Sequence, residues 1–139
     1  MLFLIGFFIH PKNVVYQPKI SGKVTDQFGN PIANATVNRI EQKSWKNEKF
    51  GYYEFKDFIS QTVTTDKNGG FTLNEKSRIE WIHNIPFTLP FVWCNTDFEI
   101  SKNGFESHRT KFDDYSKYNE THWACDEIEF KPKIVLKKL

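Results

Sequence analysis

An all-β fold of short, half-buried strands is what this sequence predicts, and three observations carry the prediction. Apolar residues alternate with polar ones in several short runs, the period of a strand with one face in a core. Two of those runs are interrupted by clusters of Asp, Asn, Gly and Pro, residues that reverse a chain because they reach or fix unusual φ values cheaply. Aromatic residues make up 17% of the chain, with 14 phenylalanines, so few side chains are needed to fill a core. At 139 residues there is material for one such core and not for two.

The first interrupted run spans Ile20 to Val37. Ile20, Gly22 and Val24 alternate with polar neighbours, Asp26, Gly29, Asn30 and Pro31 form a turn, and Ala35 and Val37 resume the alternation. The second has a strand over Ile59–Thr65, a turn at Asp66–Gly70, and Phe71 and Leu73 beyond it. Each reads as strand, turn, strand. Between the two, Glu41 to Phe58 breaks the even spacing, with Trp45, Phe50, Tyr52, Tyr53, Phe55 and Phe58 set among charges. It reads as a hairpin extension or flap over one open end of the core, or as an exposed surface for a partner. Arg78–Pro90 reads as a short helical turn or an irregular crossover, since Pro86 and Pro90 forbid a long helix. Val92–Ile100 alternates cleanly, and Ser101–Gly104 turns into a strand over Phe105–Phe112. Asp113 to Glu127 is a long acidic connection bearing Tyr115, Tyr118 and Trp123. In the closing strand, Ile128, Phe130, Ile134 and Leu136 face one way and charged residues the other, with Pro132 confining it to an edge or a bulge.

These motifs give a family resemblance. Gly22, Val24, Asp26, Gly29, Pro31, Ala35 and Val37, followed by Thr64, Thr65, Asp66, Gly69 and Phe71, and then by Lys102-Asn103-Gly104-Phe105, resemble the carboxypeptidase regulatory-like domain. The resemblance covers roughly residues 20–40, 60–73, 92–112 and 127–137. It implies a transthyretin-like antiparallel β-sandwich of about seven strands with two long loop insertions. Arg78–Pro90 departs from the family, which has a short Pro-Gly-x-Tyr link there. The shared residues specify a backbone and not a chemistry.

Met1–Ile9 is an unbroken apolar run, too short to span a bilayer and matching the apolar segment of a secretory signal. It lacks a basic flank and a clear small-x-small cleavage site, and a first strand of the domain is the competing reading. Residues 1–19 are therefore expected as an apolar signal or anchor remnant with a tether, and residues 20–139 as the sandwich domain. A periplasmic, cell-envelope or secreted location follows. In an exported domain the two cysteines, Cys94 and Cys125, are expected to pair. Such a bridge adds roughly 3–4 kcal/mol on the chain-entropy account. A buried Cys94 thiol is the alternative, as is a zinc site with His108 and His122, which lacks the close ligand pairing that zinc motifs show.

The balance of 19 basic against 17 acidic residues gives a net charge of +2, and no dense basic stripe argues for nucleic acid. Asp66-x-Asn68-x-Gly70 lacks the later ligands and the glycine position of a calcium loop. The hydrolase class among transthyretin-like folds, which opens 5-hydroxyisourate, ends in Tyr-Arg-Gly-Ser, whereas this chain ends Lys137-Lys138-Leu139 and its histidines do not match. His108 beside Asp113 or Asp114, and His122 beside Asp126, have no nucleophile signature with them. Asn34-Ala35-Thr36 and Asn119-Glu120-Thr121 are glycosylation sequons, relevant only in a eukaryotic secretory route.

The expectation is therefore a non-enzymatic binding module with no cofactor and no metal, engaging a protein or a glycan through Trp45, Phe50, Tyr52, Tyr53, Tyr115, Tyr118 and Trp123. An immunity protein that neutralises a secreted toxin and an accessory acting by β-strand augmentation are the alternatives.

Overall fold

The computed structural model describes residues 9–82, 94, 96–110, 125 and 130–139. Over these residues the chain runs β1 (Ile9–Gln17), β2 (Ile20–Asp26), β3 (Thr36–Lys46), β4 (Tyr53–Thr64), β5 (Gly70–Leu73), β6 (Lys76–Ile82), β7 (Phe98–Ser101), β8 (His108–Arg109) and β9 (Lys133–Leu136). A three-stranded sheet, β5-β2-β9, faces a four-stranded one, β4-β3-β7-β8. Between them lies the core. Ile20, Val24, Phe71, Leu73, Ile134 and Leu136 come from the first sheet, and Val37, Phe98 and Ile100 from the second. Phe71 and Phe98 meet across the interior with ring centroids 5.8 Å apart. Each fully buried side chain of this kind contributes about 1.5–3 kcal/mol, which is why the alternating residues decide the fold.

The two turn motifs share one hydrogen-bond scheme. The Asp26 N–H donates to Asn30 O, its C=O accepts Gly29 N, and its Oδ1 accepts Phe28 N and Asn30 N. The Asp66 N–H donates to Gly70 O, its C=O accepts Gly69 N, and its Oδ1 accepts Asn68 N and Gly70 N. Gly29 and Gly69 both sit in the left-handed region, at φ 86° and 77°. Their surroundings differ. A Cβ on Gly29 would meet nothing within 4 Å, whereas one on Gly69 would lie 2.2 Å from Val24 O. Gly69 O in turn accepts Val24 N, and Val24 O accepts Ile32 N, so the two turns pack on each other through main chain.

The strand, turn, strand order suggests a hairpin at each motif, and neither is one. β2 and β3 belong to opposite sheets, and so do β4 and β5. Both turns are arches that carry the chain across the core, because the inward side chains on their two flanks face one another instead of lying side by side. Thr65 clamps the second arch, its hydroxyl donating to Ile32 O while accepting Ala35 N.

Other boundaries also differ from the sequence reading. The segment expected as a tether holds β1, paired antiparallel with β6. Lys76–Ile82, expected in part as a helical turn, is that partner strand, and residues 83–90 lie outside the described residues. The sandwich is not wholly antiparallel, for β9 runs parallel to β2 from Lys23↔Lys133 to Asp26↔Leu136. β9 is an edge strand, as Pro132 requires. β7 starts at Phe98 instead of Val92, and the strand expected over Phe105–Phe112 is shortened to β8. No helix occurs among the described residues.

Candidate partner-binding surface

Glu41–Phe58, which the spacing rule marks as an interruption, continues the sheet. β3 and β4 pair without a break from Ile40↔Ile59 to Lys46↔Tyr53, beyond a bulge at Ser60. The ladder thus leaves the sandwich as a two-stranded arm. The turn at its tip is built by Asn47, whose N–H donates to Tyr52 O and whose C=O accepts Gly51 N. The Asn47 side-chain oxygen accepts Lys49 N and Phe50 N, and its amide donates to Glu54. Gly51, at φ 72°, closes the turn where a residue with a Cβ would be strained.

The arm is aromatic and exposed. Phe50, Tyr52, Tyr53 and Phe55 are each more than half exposed, and Trp45 is 43% exposed. Phe50 stacks on Tyr52 with centroids 5.8 Å apart and planes 18° from parallel. Lys49 lies over the Phe50 ring at 5.2 Å and Lys43 over the Phe58 ring at 4.7 Å, each holding an aromatic face by cation–π attraction. The register divides the arm into two faces. Trp45, Lys43, Glu54, Lys56 and Phe58 share one. Tyr53, Phe55 and Ile59 share the other, with Gln42 and Asp57.

Asp57 anchors the second face. Its carboxylate accepts from Arg109 on β8 and from Gln42 across the ladder. These hydrogen bonds, the one from Arg109 foremost, hold the Asp57 carboxyl below the usual carboxylate range and push the Arg109 guanidinium up.

Where arm meets sandwich there is a buried polar cluster that sequence reasoning missed. Arg39 is fully buried on the core side of β3 and donates from Nη2 to Pro18 O at 2.8 Å. Among the described residues its Nε and Nη1 meet no hydrogen-bond acceptor, and Gln17 is equally buried beside it. Burial pushes the Arg39 guanidinium down to about 10, partly countered by Glu41 and Tyr16. Glu41 bonds Lys76 at 2.9 Å, and although burial works to raise its carboxyl, the bonds it receives bring it below the ordinary range. An arginine on an alternating strand reads as solvent-facing in sequence, so no signal marked it as interior.

Cys94 and Cys125 form a disulfide with their Cα atoms 5.1 Å apart. Both are buried, and Cys125 N donates to Val15 O, tying the bridge to β1. With both sulfurs bonded to each other, the thiol and zinc readings of these residues are set aside.

Of the residues expected to bind a partner, Trp45, Phe50, Tyr52 and Tyr53 come together on the arm, and Tyr115, Tyr118 and Trp123 lie outside the described residues. The arm adds Phe55 and Ile59, and β6 exposes Ile79 and Trp81.

No protein-family model matches the chain, and no curated protein matches it. Among solved structures it is similar to a 3-chlorocatechol 1,2-dioxygenase from Rhodococcus opacus 1CP, at 22% identity and a TM-score of 0.45, over 94% of this chain and 61% of that one. It is also similar to the full-length major pilin SpaD of Corynebacterium diphtheriae, at 13% identity and a TM-score of 0.42, over 94% of this chain and 33% of that one. The chain thus spans less than two thirds of the length of either.

Proposed function

We propose that this chain is a non-catalytic binding module of carboxypeptidase regulatory-like type, working outside the cytoplasm and engaging a protein or glycan through the β3–β4 arm. The observation that carries this is the arm itself, a hydrogen-bonded ladder projecting Trp45, Phe50, Tyr52 and Tyr53 into solvent. Rigid aromatics lose little entropy on contact and concentrate where interfaces gain their energy. The Cys94–Cys125 disulfide supports the location, since such bonds persist mainly in oxidising compartments. A second reading, recognition by strand addition, is favoured by β4 being the outer strand of its sheet.

The test is affinity capture and glycan-array binding with the full chain and with a Trp45→Ala/Phe50→Ala/Tyr52→Ala variant. Phe28→Ala serves as a control, because Phe28 is 78% exposed on the Asp26 turn, away from the arm. One stoichiometric protein or one glycan class, lost in the triple variant and kept in the control, supports the reading. If that protein is a secreted toxin, the module is an inhibitor. Binding that survives the triple variant in a folded protein removes the arm from the function.

A further inference from the structure

β4 leaves a strand position open. It is the outer strand of its sheet, and no described strand pairs with its far side over Tyr53–Ile59. The bond from Asn47 N to Tyr52 O sets the parity of the ladder. Opposed residues alternate between exchanging hydrogen bonds and turning them away. With the register unbroken to Lys46↔Tyr53, it follows that Tyr53, Phe55 and Asp57 aim their N–H and C=O groups outward, away from β3. Natural edges are usually blunted by proline, a bulge, a short length or charged side chains. Of these the open stretch of β4 has only charges, at Glu54, Lys56 and Asp57. β4 has no proline, and its bulge at Ser60 lies below the open stretch.

We propose that a second copy of this chain fills this edge, β4 pairing antiparallel with β4 about a two-fold axis through Phe55. A two-fold pairing sets each residue against one on the same face, and the charges choose among the registers that centre on the open stretch. Centred on Glu54, the pairing opposes two carboxylates; centred on Lys56, it opposes two ammonium groups. Centred on Phe55, it sets Glu54 of each copy against Lys56 of the other, on both sides of the axis. Directly opposed unlike charges stabilise a strand pair and like charges destabilise it.

The hairpin supplies a second reason. Within its own ladder Lys56 faces Lys43, a like-charge pair, so the second copy's Glu54 provides a counter-charge that Lys56 does not meet across the hairpin. Phe55, 63% exposed in the single chain, meets its own counterpart, and Tyr53 and Asp57 face each other with their outward main-chain groups in hydrogen-bonding position. The contact is isologous and closes with two copies, so the β4 edge is filled in both. Trp45, on β3, stays one strand away from the seam, and the dimer presents it twice.

Sedimentation equilibrium of the full chain tests this, from about 1 to 500 µM. A monomer–dimer equilibrium is expected within that range. Lys56→Glu removes the Lys43 clash within the hairpin, so the fold is kept, but it opposes two carboxylates across each side of the axis and should weaken dimerisation about tenfold. Glu54→Gln keeps an acceptor for Asn47 and should weaken it about threefold. A chain monomeric throughout the range overturns the proposal. So does a dimer that either substitution leaves unchanged or tightens, which would put the seam in another register or on another surface.

Discussion

The lower and upper parts of the β3–β4 ladder are made by the same hydrogen bonds and differ in what their side chains meet. From Thr36 to Ile40 the inward side chains Val37 and Arg39 are fully buried against the other sheet. From Gln42 to Lys46, and back from Tyr53 to Asp57, no side chain is buried. The bulge at Ser60 lies at the change. Buried side chains thus gather at the base and exposed aromatic ones on the arm, and one continuous ladder joins the two. Such a division holds only if substitutions in the two parts have separable effects.

The largest effect is expected at the base. Phe98→Ala, opposite Arg39 on β7, should cost about 3–5 kcal/mol in urea unfolding, because it empties a site walled by both sheets. Replacing Cys94 and Cys125 together by serine should cost about 3–4 kcal/mol, the closure entropy of the loop they cross-link. A loss below about 1 kcal/mol would place that loop outside the cooperative unit. Arg39→Met sharpens the boundary between the two parts. Most of the buried Arg39 donors have no acceptor among the described residues, so the change should leave stability within about 1 kcal/mol or raise it. A loss of 3 kcal/mol would show that the charge is paired.

On the arm, Trp45→Ala should change unfolding free energy by less than about 0.5 kcal/mol while reducing partner binding. Equal losses in both would dissolve the division. A further small effect is electrostatic. Because Asp57 has its carboxyl depressed in the fold, the Arg109 contact stabilises above the unfolded carboxyl's range and is lost as pH falls through the folded value. The contact is largely exposed, so it is worth less than about 1 kcal/mol. Wild type and Asp57→Asn should therefore differ slightly at pH 6 and converge in urea midpoint once the pH has fallen below the folded carboxyl's value.

Much of the sandwich was legible in the sequence. The alternation at Ile20 and Val24, at Phe71 and Leu73, and at Ile134 and Leu136 picked out core residues correctly, and the two Asp-Gly turns fell where expected. Whether those turns join neighbours in one sheet or cross between sheets was not legible, because Asp, Asn and Gly satisfy the same local bonds in either case. Gly69 was marked for its φ, yet its tighter constraint is the approach of Val24 O, a contact between distant segments. The arm was legible as a hairpin extension, but its strands were not legible from alternation, for a different reason. With both faces in solvent, Trp45 can sit on one and Phe55 on the other, so the period-two signal that marks a half-buried strand disappears.

The parallel pairing of β9 with β2 bears on how the molecule comes to be folded. Lys23 faces Lys133 across most of the chain's length, so the strand that completes the three-stranded sheet is the last one described. Ile134 and Leu136 wall the core, and until they arrive β2 has only the short β5 beside it. Contacts of such wide sequence separation slow folding, since loop-closure entropy is spent before burial repays it. A chain built this way lingers with an open sheet, and it needs protection from aggregation during that interval more than one whose strands pair in order.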